Sequence, residues 1–259
     1  MPKQVYNILF KSAWQVIKGF AQNHKFLGAD IGMIAVLHTW GANLSVHPHL
    51  HCIVPGGGIT AAGKWKVSKN KGKYLFPVKA MGKVYRAKFL NNLKKSGLLD
   101  HQLHQNLLKK PWVVYAKRPF LGPQQVTEYL GRYTHKIAIS NHRITDISQK
   151  SVAFIAKNYK NGGKKEVAIL SHHEFVRRFA MHILPKGFVR IRHYGILSVN
   201  RKVQSIQNIR KQTGAVKLSI KREPIKKELC PHCGKGKLIT LIRFDNRGPP
   251  RNICLPDLR

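Results

Sequence analysis

The chain has 259 residues and a formal net charge of +37, from 47 lysines and arginines against 10 aspartates and glutamates. That excess is far beyond what solubility requires and points to a polyanion, because neutralising phosphates and releasing their counterions drives such binding; on charge alone an RNA binder of the ribosomal type fits equally well. No apolar run is long enough to span a membrane, the start lacks a signal-peptide core, and four cysteines do not make a disulfide framework, so the expected compartment is the cytoplasm.

In chain order, residues 3–22 repeat apolar side chains at Val5, Ile8, Leu9, Val16, Ile17 and Phe20, the spacing of an amphipathic helix. Ile31 to Trp40 reads as a strand, and Val46 to Val54 as a second that ends in the turn Pro55-Gly56-Gly57-Gly58. Tyr85 to Lys95 and Leu98 to Lys109 read as basic, partly amphipathic helices. Gly122-Pro123 ahead of Gln124-Gln125-Val126 opens another helix, since proline is tolerated at the first helical position. A strand Lys136 to Ser140 follows, then a hairpin of Ser151 to Tyr159 and Lys164 to Leu170 around Asn161-Gly162-Gly163. Ser171 and Glu174 have capping-box spacing and open a helix Phe175 to Leu184. The alternation predicts an α+β catalytic domain over residues 1–199, with a central antiparallel sheet and helices on one face. Residues 200–229 are basic with little apolar periodicity, which predicts a mobile linker or tail against DNA, and residues 230–259 form a C-terminal cysteine segment.

Two short motifs carry chemistry. In His47-Pro48-His49-Leu50-His51, side chains two apart on a strand share a face, so His49 and His51 offer two imidazoles together, half of a metal site. His47 lies on the same face, and a solvent-facing histidine ladder is the plain alternative. Tyr129 and Tyr133 stand four apart on a helix and would present two hydroxyls from one side, although structural tyrosines share that spacing. Aromatic residues also interleave with cations at Trp65-Lys66, Lys73-Tyr74, Tyr85-Arg86 and Arg190-Ile191-Arg192-His193-Tyr194. Bases of a single strand stack on such rings while the cations follow the backbone, but a lysine stem lying on a core aromatic leaves the same pattern. Cys230-Pro231-His232-Cys233-Gly234 has the shape of half a zinc ribbon, with Cys230 and Cys233 as candidate ligands of a structural Zn2+ that Cys254 or His232 would help complete; a merely reduced cysteine pair is the alternative. No glycine-rich phosphate loop is present.

Taken together, four blocks resemble the two-tyrosine HUH rolling-circle transposases of bacterial insertion sequences, of the IS-ninety-one type. They are Leu37-His38-Thr39-Trp40-Gly41 through His47-Pro48-His49-Leu50-His51 to Gly58, Trp112-Val113-Val114-Tyr115-Ala116-Lys117, Tyr129-Leu130-Gly131-Arg132-Tyr133 through Asn141, and Leu184-Pro185-Lys186-Gly187 through Gly195. The resemblance implies an HUH endonuclease-like fold and transposition through single-stranded DNA at insertion-sequence ends and target. It implies Mg2+ or Mn2+ on His49 and His51, and Tyr129 and Tyr133 as nucleophiles that leave a 5′-phosphotyrosine and a free 3′-hydroxyl. Such a bond conserves its energy, so rejoining needs no ATP. A third ligand would be His38, if its strand pairs with the histidine strand, or His135 just past the tyrosines; His38 is preferred, and Ala42, where relatives often carry a polar side chain, cannot serve. Arg132, Lys136, Arg190 and Arg192 are the basic residues of these blocks expected on DNA.

Relatives of this type begin with a cysteine-rich zinc-binding domain and a first strand, and this chain starts after both, so a truncated catalytic domain is expected. A plasmid relaxase or replication initiator would share the chemistry, but relaxases usually place their tyrosines before the histidine motif. A non-catalytic nucleic-acid binder, including a dead fragment of such a transposase, is the competitor of another class.

Overall fold

The structure, a computed structural model, describes residues 2–69, 75–120, 122–134, 138–158, 161–215, 229–230 and 232–236. The chain divides into a unit of Met1–Ala215 and a unit of Val216–Arg259. In chain order the first contains α1 (Pro2–Gln22), β1 (Gly32–Trp40), β2 (Val46–Ile53), β3 (Gly57–Ile59), β4 (Trp65–Val67), α2 (Val78–Lys95), α3 (His101–Lys109), α4 (Pro123–Thr134), β5 (Ile144–Ile147), β6 (Ser151–Asn158), β7 (Lys164–Ser171), α5 (His172–Ala180), β8 (Ile191–Gly195) and α6 (Lys202–Thr213).

The period of two along β1 decides what each face of its sheet does. Met33, Ala35 and Leu37 are fully buried and pack on Tyr6, Phe10, Val16 and Ile17 of α1 and on Met81 of α2, with Leu50 of β2 and Val54 just past it joining. Met33 and Leu37 each contribute roughly 1.5–3 kcal/mol by leaving water. His38 and Trp40, one residue out of step, fall on the other face. The strands run β2-β1-β8, antiparallel throughout. On β8, Tyr194 stacks on Trp14 at 5.3 Å and the Arg192 guanidinium lies over the rings of Phe10 and Phe188 at 4.2 and 5.2 Å, so β8 is fastened to the helical layer.

The α+β class with antiparallel sheets holds, and six helices flank them among the described residues. The single central sheet is instead two three-stranded sheets, β2-β1-β8 and β5-β6-β7, and a β3–β4 hairpin. The reason is a second core: Val152, Phe154 and Ala156 alternate inward on β6, and Phe154 and Ala156 gather Leu44, Ala138, Phe175 and Phe179 about themselves. Of the expected strand Lys136 to Ser140, residues 136 and 137 lie outside the described residues, and Ala138–Ser140 is irregular. Ala138 has φ of 28° and is buried in that second core, so burial rather than pairing uses its apolar side chain. Ser171 caps α5 by accepting from the Glu174 N–H, and the helix stops at Ala180 rather than reaching Leu184.

Past residue 199 the expected tail is, as far as Ala215, part of the first unit. α6 docks on the hairpin through amides: the Trp65 N–H donates to Gln212 Oε1 at 2.7 Å, and Asn208 Nδ2 and Gln212 Nε2 donate to the Gly63 carbonyl at 3.1 and 2.8 Å. Apolar periodicity cannot reveal a helix held this way. No helix among the described residues is long and apolar enough to cross a membrane.

Candidate functional site

Antiparallel pairing sets His38 of β1 directly opposite His49 of β2. Together with His51 they form a cluster whose ligand nitrogens all lie within 4.8 Å of one another. His38 is buried and the other two are half-buried. The His49 Nδ1–H donates to the His47 carbonyl at 2.7 Å, which makes Nε2 the ring's lone-pair nitrogen. That Nε2 stands 3.2 Å from Nε2 of His51. Three imidazole nitrogens converging this closely are a donor set of the kind that holds a divalent transition-metal ion, so the residues present fit one. Burial pushes the His49 imidazole below its ordinary value. His51 is lowered to about 4, first by burial, then by the charges of His49 and Lys117. Both are therefore neutral near pH 7, the form that binds a cation.

Tyr129 of α4 completes the group. Its Oη lies 2.7 Å from His51 Nδ1, across 78 residues of sequence. Phe120 meets the Tyr129 ring edge-on at 5.3 Å, and Lys117 Nζ is 5.9 Å from its centroid. Neither neighbour was singled out from sequence, although both sit in or just beyond the Trp112–Lys117 block, where the cation density was visible. Behind His38, Trp40 stacks on its ring at 4.6 Å, and the Arg190 guanidinium lies 5.8 Å from the Trp40 ring. Arg190 thus backs the histidine cluster through one intervening ring.

The turn between β1 and β2 is gripped from outside. Leu44 is fully buried with φ of 62°, a left-handed conformation that is unusual for a leucine. Three basic side chains donate to three successive carbonyls: Arg143 Nη2 to Ala42, Arg178 Nη1 to Asn43 at 3.3 Å, and His182 Nε2 to Leu44 at 3.1 Å. With Nε2 carrying the proton, His182 Nδ1 accepts from the Thr39 hydroxyl at 3.2 Å. Thr39 sits where the β1–β2 register slips, between His38 and Trp40. The grip therefore holds the strand reversal that aligns His38 with His49. Sequence reasoning missed these three residues because nothing local marks a side chain that reaches a carbonyl over 100 residues away.

The remaining expected residues fall elsewhere. Arg192 points to the helical face of the sheet, away from the histidines, and donates to Asn7 Oδ1 at 2.6 Å besides covering Phe10 and Phe188. His135 and Lys136 lie outside the described residues, as do the side chains of Arg132 and Tyr133, whose backbone continues α4. Among the aromatics paired with cations, Tyr85 packs on Phe89 and Trp112 and Tyr194 on Trp14, which makes them core rings; Tyr74 lies outside the described residues. In the second unit, Cys230 and Cys233 flank a tight knuckle. The Gly234 N–H donates to the Cys230 carbonyl at 2.8 Å, and the Gly236 N–H to Cys233 Sγ at 3.4 Å. Backbone N–H groups of Gly236 and Lys235 and the Cys230 side chain lower the Cys233 thiol below its ordinary value. Cys254 lies outside the described residues.

Residues 32–205, which contain the three histidines and Tyr129, match the family model "Y2_Tnp: Putative transposase". The "Putative transposase y4qJ" of Sinorhizobium fredii is 38% identical over 279 residues, spanning 95% of this chain and 70% of that protein. The "Transposase for insertion sequence element IS801" of Pseudomonas savastanoi pv. phaseolicola is 24% identical over 221 residues, spanning 76% of this chain and 52% of that protein. No solved structure matches.

Proposed function

This chain belongs to the Y2 transposase family, and from that membership we propose that it cuts and rejoins single-stranded DNA at insertion-sequence ends by transesterification on Tyr129. The observation that carries the proposal is the contact of Tyr129 Oη with His51 Nδ1 at 2.7 Å, on a ring whose other nitrogen faces His49 at 3.2 Å. His38, His49 and His51 are the proposed ligands of a divalent ion, Mg2+ or Mn2+; three imidazoles and no carboxylate favour Mn2+ of the two. When bound, the ion supplies Lewis-acid stabilisation of charge on the scissile phosphate.

The side chains divide the remaining work. With its Nε2 lone pair committed to the ion, His51 keeps its proton on Nδ1 and donates it to Tyr129 Oη. That hydrogen bond orients the phenol oxygen and favours its deprotonated form, which matters because a free tyrosine with a pKa near ~10 is a weak nucleophile. The Tyr129 phenol gives its proton to water, Oη forms a bond to phosphorus, the bond from phosphorus to the 3′-oxygen breaks, and that oxygen leaves by taking up a proton from water. Rejoining is the reverse attack by a 3′-hydroxyl on the 5′-phosphotyrosine. Tyr133, one helical turn on, is proposed as the second nucleophile, and Arg132, Lys136 and Arg190 as phosphate contacts. The knuckle at Cys230 and Cys233 is proposed to hold a structural Zn2+, since backbone N–H donors already favour the thiolate there.

The test incubates the chain with a labelled single strand carrying an insertion-sequence end and Mn2+, followed by a denaturing gel. A covalent adduct that EDTA prevents and that Tyr129→Phe loses is expected. Binding without any adduct would reduce the protein to a DNA-binding one.

A further inference from the structure

Between α3 and α4 the described residues form no regular secondary structure, yet Trp112 and Val114 tie the segment to the body of the unit. The Trp112 ring packs on Tyr85 and Phe89 at 5.5 and 5.1 Å, and its Nε1–H donates to the Leu107 carbonyl at 3.1 Å. Val114 packs against the main core. Gly82 of α2 forms the seat beneath, where a Cβ would stand 2.5 Å from the Trp112 carbonyl oxygen. Extended backbone with Trp112 and Val114 turned inward must turn Val113 and Tyr115 outward, and they are 84% and 79% exposed.

An exposed tyrosine alone is unremarkable surface. This one differs in three respects. The residues just before it, Trp112 and Val114, pack against the core, its ring makes no aromatic contact or hydrogen bond among the described residues, and two residues on is Lys117, 5.9 Å from the ring of the proposed nucleophile. The stretch is also purely cationic, with Lys109, Lys110, Lys117 and Arg118 and no acidic residue between Asp100 and Glu128.

We propose that this strap, residues 111–120, is a binding site for the unpaired strand next to the scissile phosphate, with one base stacked on Tyr115 and a neighbouring phosphate on Lys117. The inference rests on the DNA-cutting reading above and extends it to a substrate subsite. A single strand is favoured over a duplex because a free ring face recognises a free base face, and duplex bases have both faces covered. A tyrosine ring has only two side-chain torsions to fix, so it loses little freedom when a base settles on it.

The experiment measures equilibrium binding of a fluorescent insertion-sequence-end single strand to the full chain by anisotropy. Tyr115→Ala is expected to raise Kd roughly tenfold and Tyr115→Phe to stay within about twofold of the unmodified chain. An abasic site is then stepped along the strand. One position is expected to weaken binding by the unmodified chain and to cost nothing further in Tyr115→Ala, an outcome that a purely structural tyrosine would not produce. Unchanged Kd in Tyr115→Ala, a Tyr115→Phe as weak as Tyr115→Ala, or the absence of any such position overturns the inference. Adduct formation is scored separately on the unmodified chain: an adduct with no Tyr115 effect sinks only the subsite, and a Tyr115 effect with no adduct sinks only the cutting chemistry.

Discussion

Burial keeps three histidines of this protein neutral and in different settings: His49 and His51 stand in the cluster proposed to take a cation, while His182 spends both nitrogens on the fold. In His182→Ala the Leu44 carbonyl and the Thr39 hydroxyl both lose their partner at a buried position. An unsatisfied buried polar group costs about 1–3 kcal/mol, so the melting temperature should fall by roughly 5–10 °C, with weaker Mn2+ binding because the reversal that aligns His38 with His49 is loosened. Unchanged melting would show that the relay is not holding the turn. The same neutral histidines set a pH dependence. His49, His51 and His182 are all lowered from 6.5, His51 to about 4, with burial the largest cause in each. The unfolded chain takes up these protons near pH 6.5 and the folded chain resists until about pH 4 at His51. Stability is therefore full above 6.5 and is lost as pH falls toward 4. Urea unfolding of the metal-free protein should show a loss on the order of 2 kcal/mol from His51 alone between neutral pH and about 4.5, after discounting for its partial exposure.

At the level of elements, Gly82 offers a change whose sign is informative. Within a helix, alanine is the better residue by about 0.5–1 kcal/mol, so propensity alone predicts that Gly82→Ala stabilises α2. The added Cβ would lie 2.5 Å from a backbone oxygen of the strap, which cannot swing aside as a flexible side chain could. Gly82→Ala should therefore lower the melting temperature and weaken single-strand binding; a rise in melting temperature would show that the strap yields easily. Elements with a strong local signal were legible from sequence: the histidine strand from its alternation, α1 from its period, and α5 from the Ser171 cap. The expected strand at Lys136 failed where Ala138 turns into the second core with a positive φ, and α6 escaped notice because amide hydrogen bonds, not an apolar stripe, dock it.

For the whole molecule, the charge of +37 ought to be visible as salt dependence. Each phosphate neutralised on a single strand contributes a slope of about −0.7 in log affinity against log salt. Four or five contacts would give a slope of about −3, measurable by anisotropy over a salt series, and a nearly flat response would separate the charge from DNA altogether. The polyanionic partner, the shared face of His49 and His51 and the helical spacing of the tyrosines were decided by the sequence itself, because charge is additive and periodicity is set by backbone geometry within a few residues. The tertiary structure alone decided that His38 stands opposite His49, that Tyr129 meets His51 rather than solvent, that Arg192 faces the helices, and that Tyr115 is presented while Tyr85 and Tyr194 are half-buried against core rings. Those outcomes depend on which strands pair, in which register, and which faces must leave water, and burial of the core settles them over the whole chain at once.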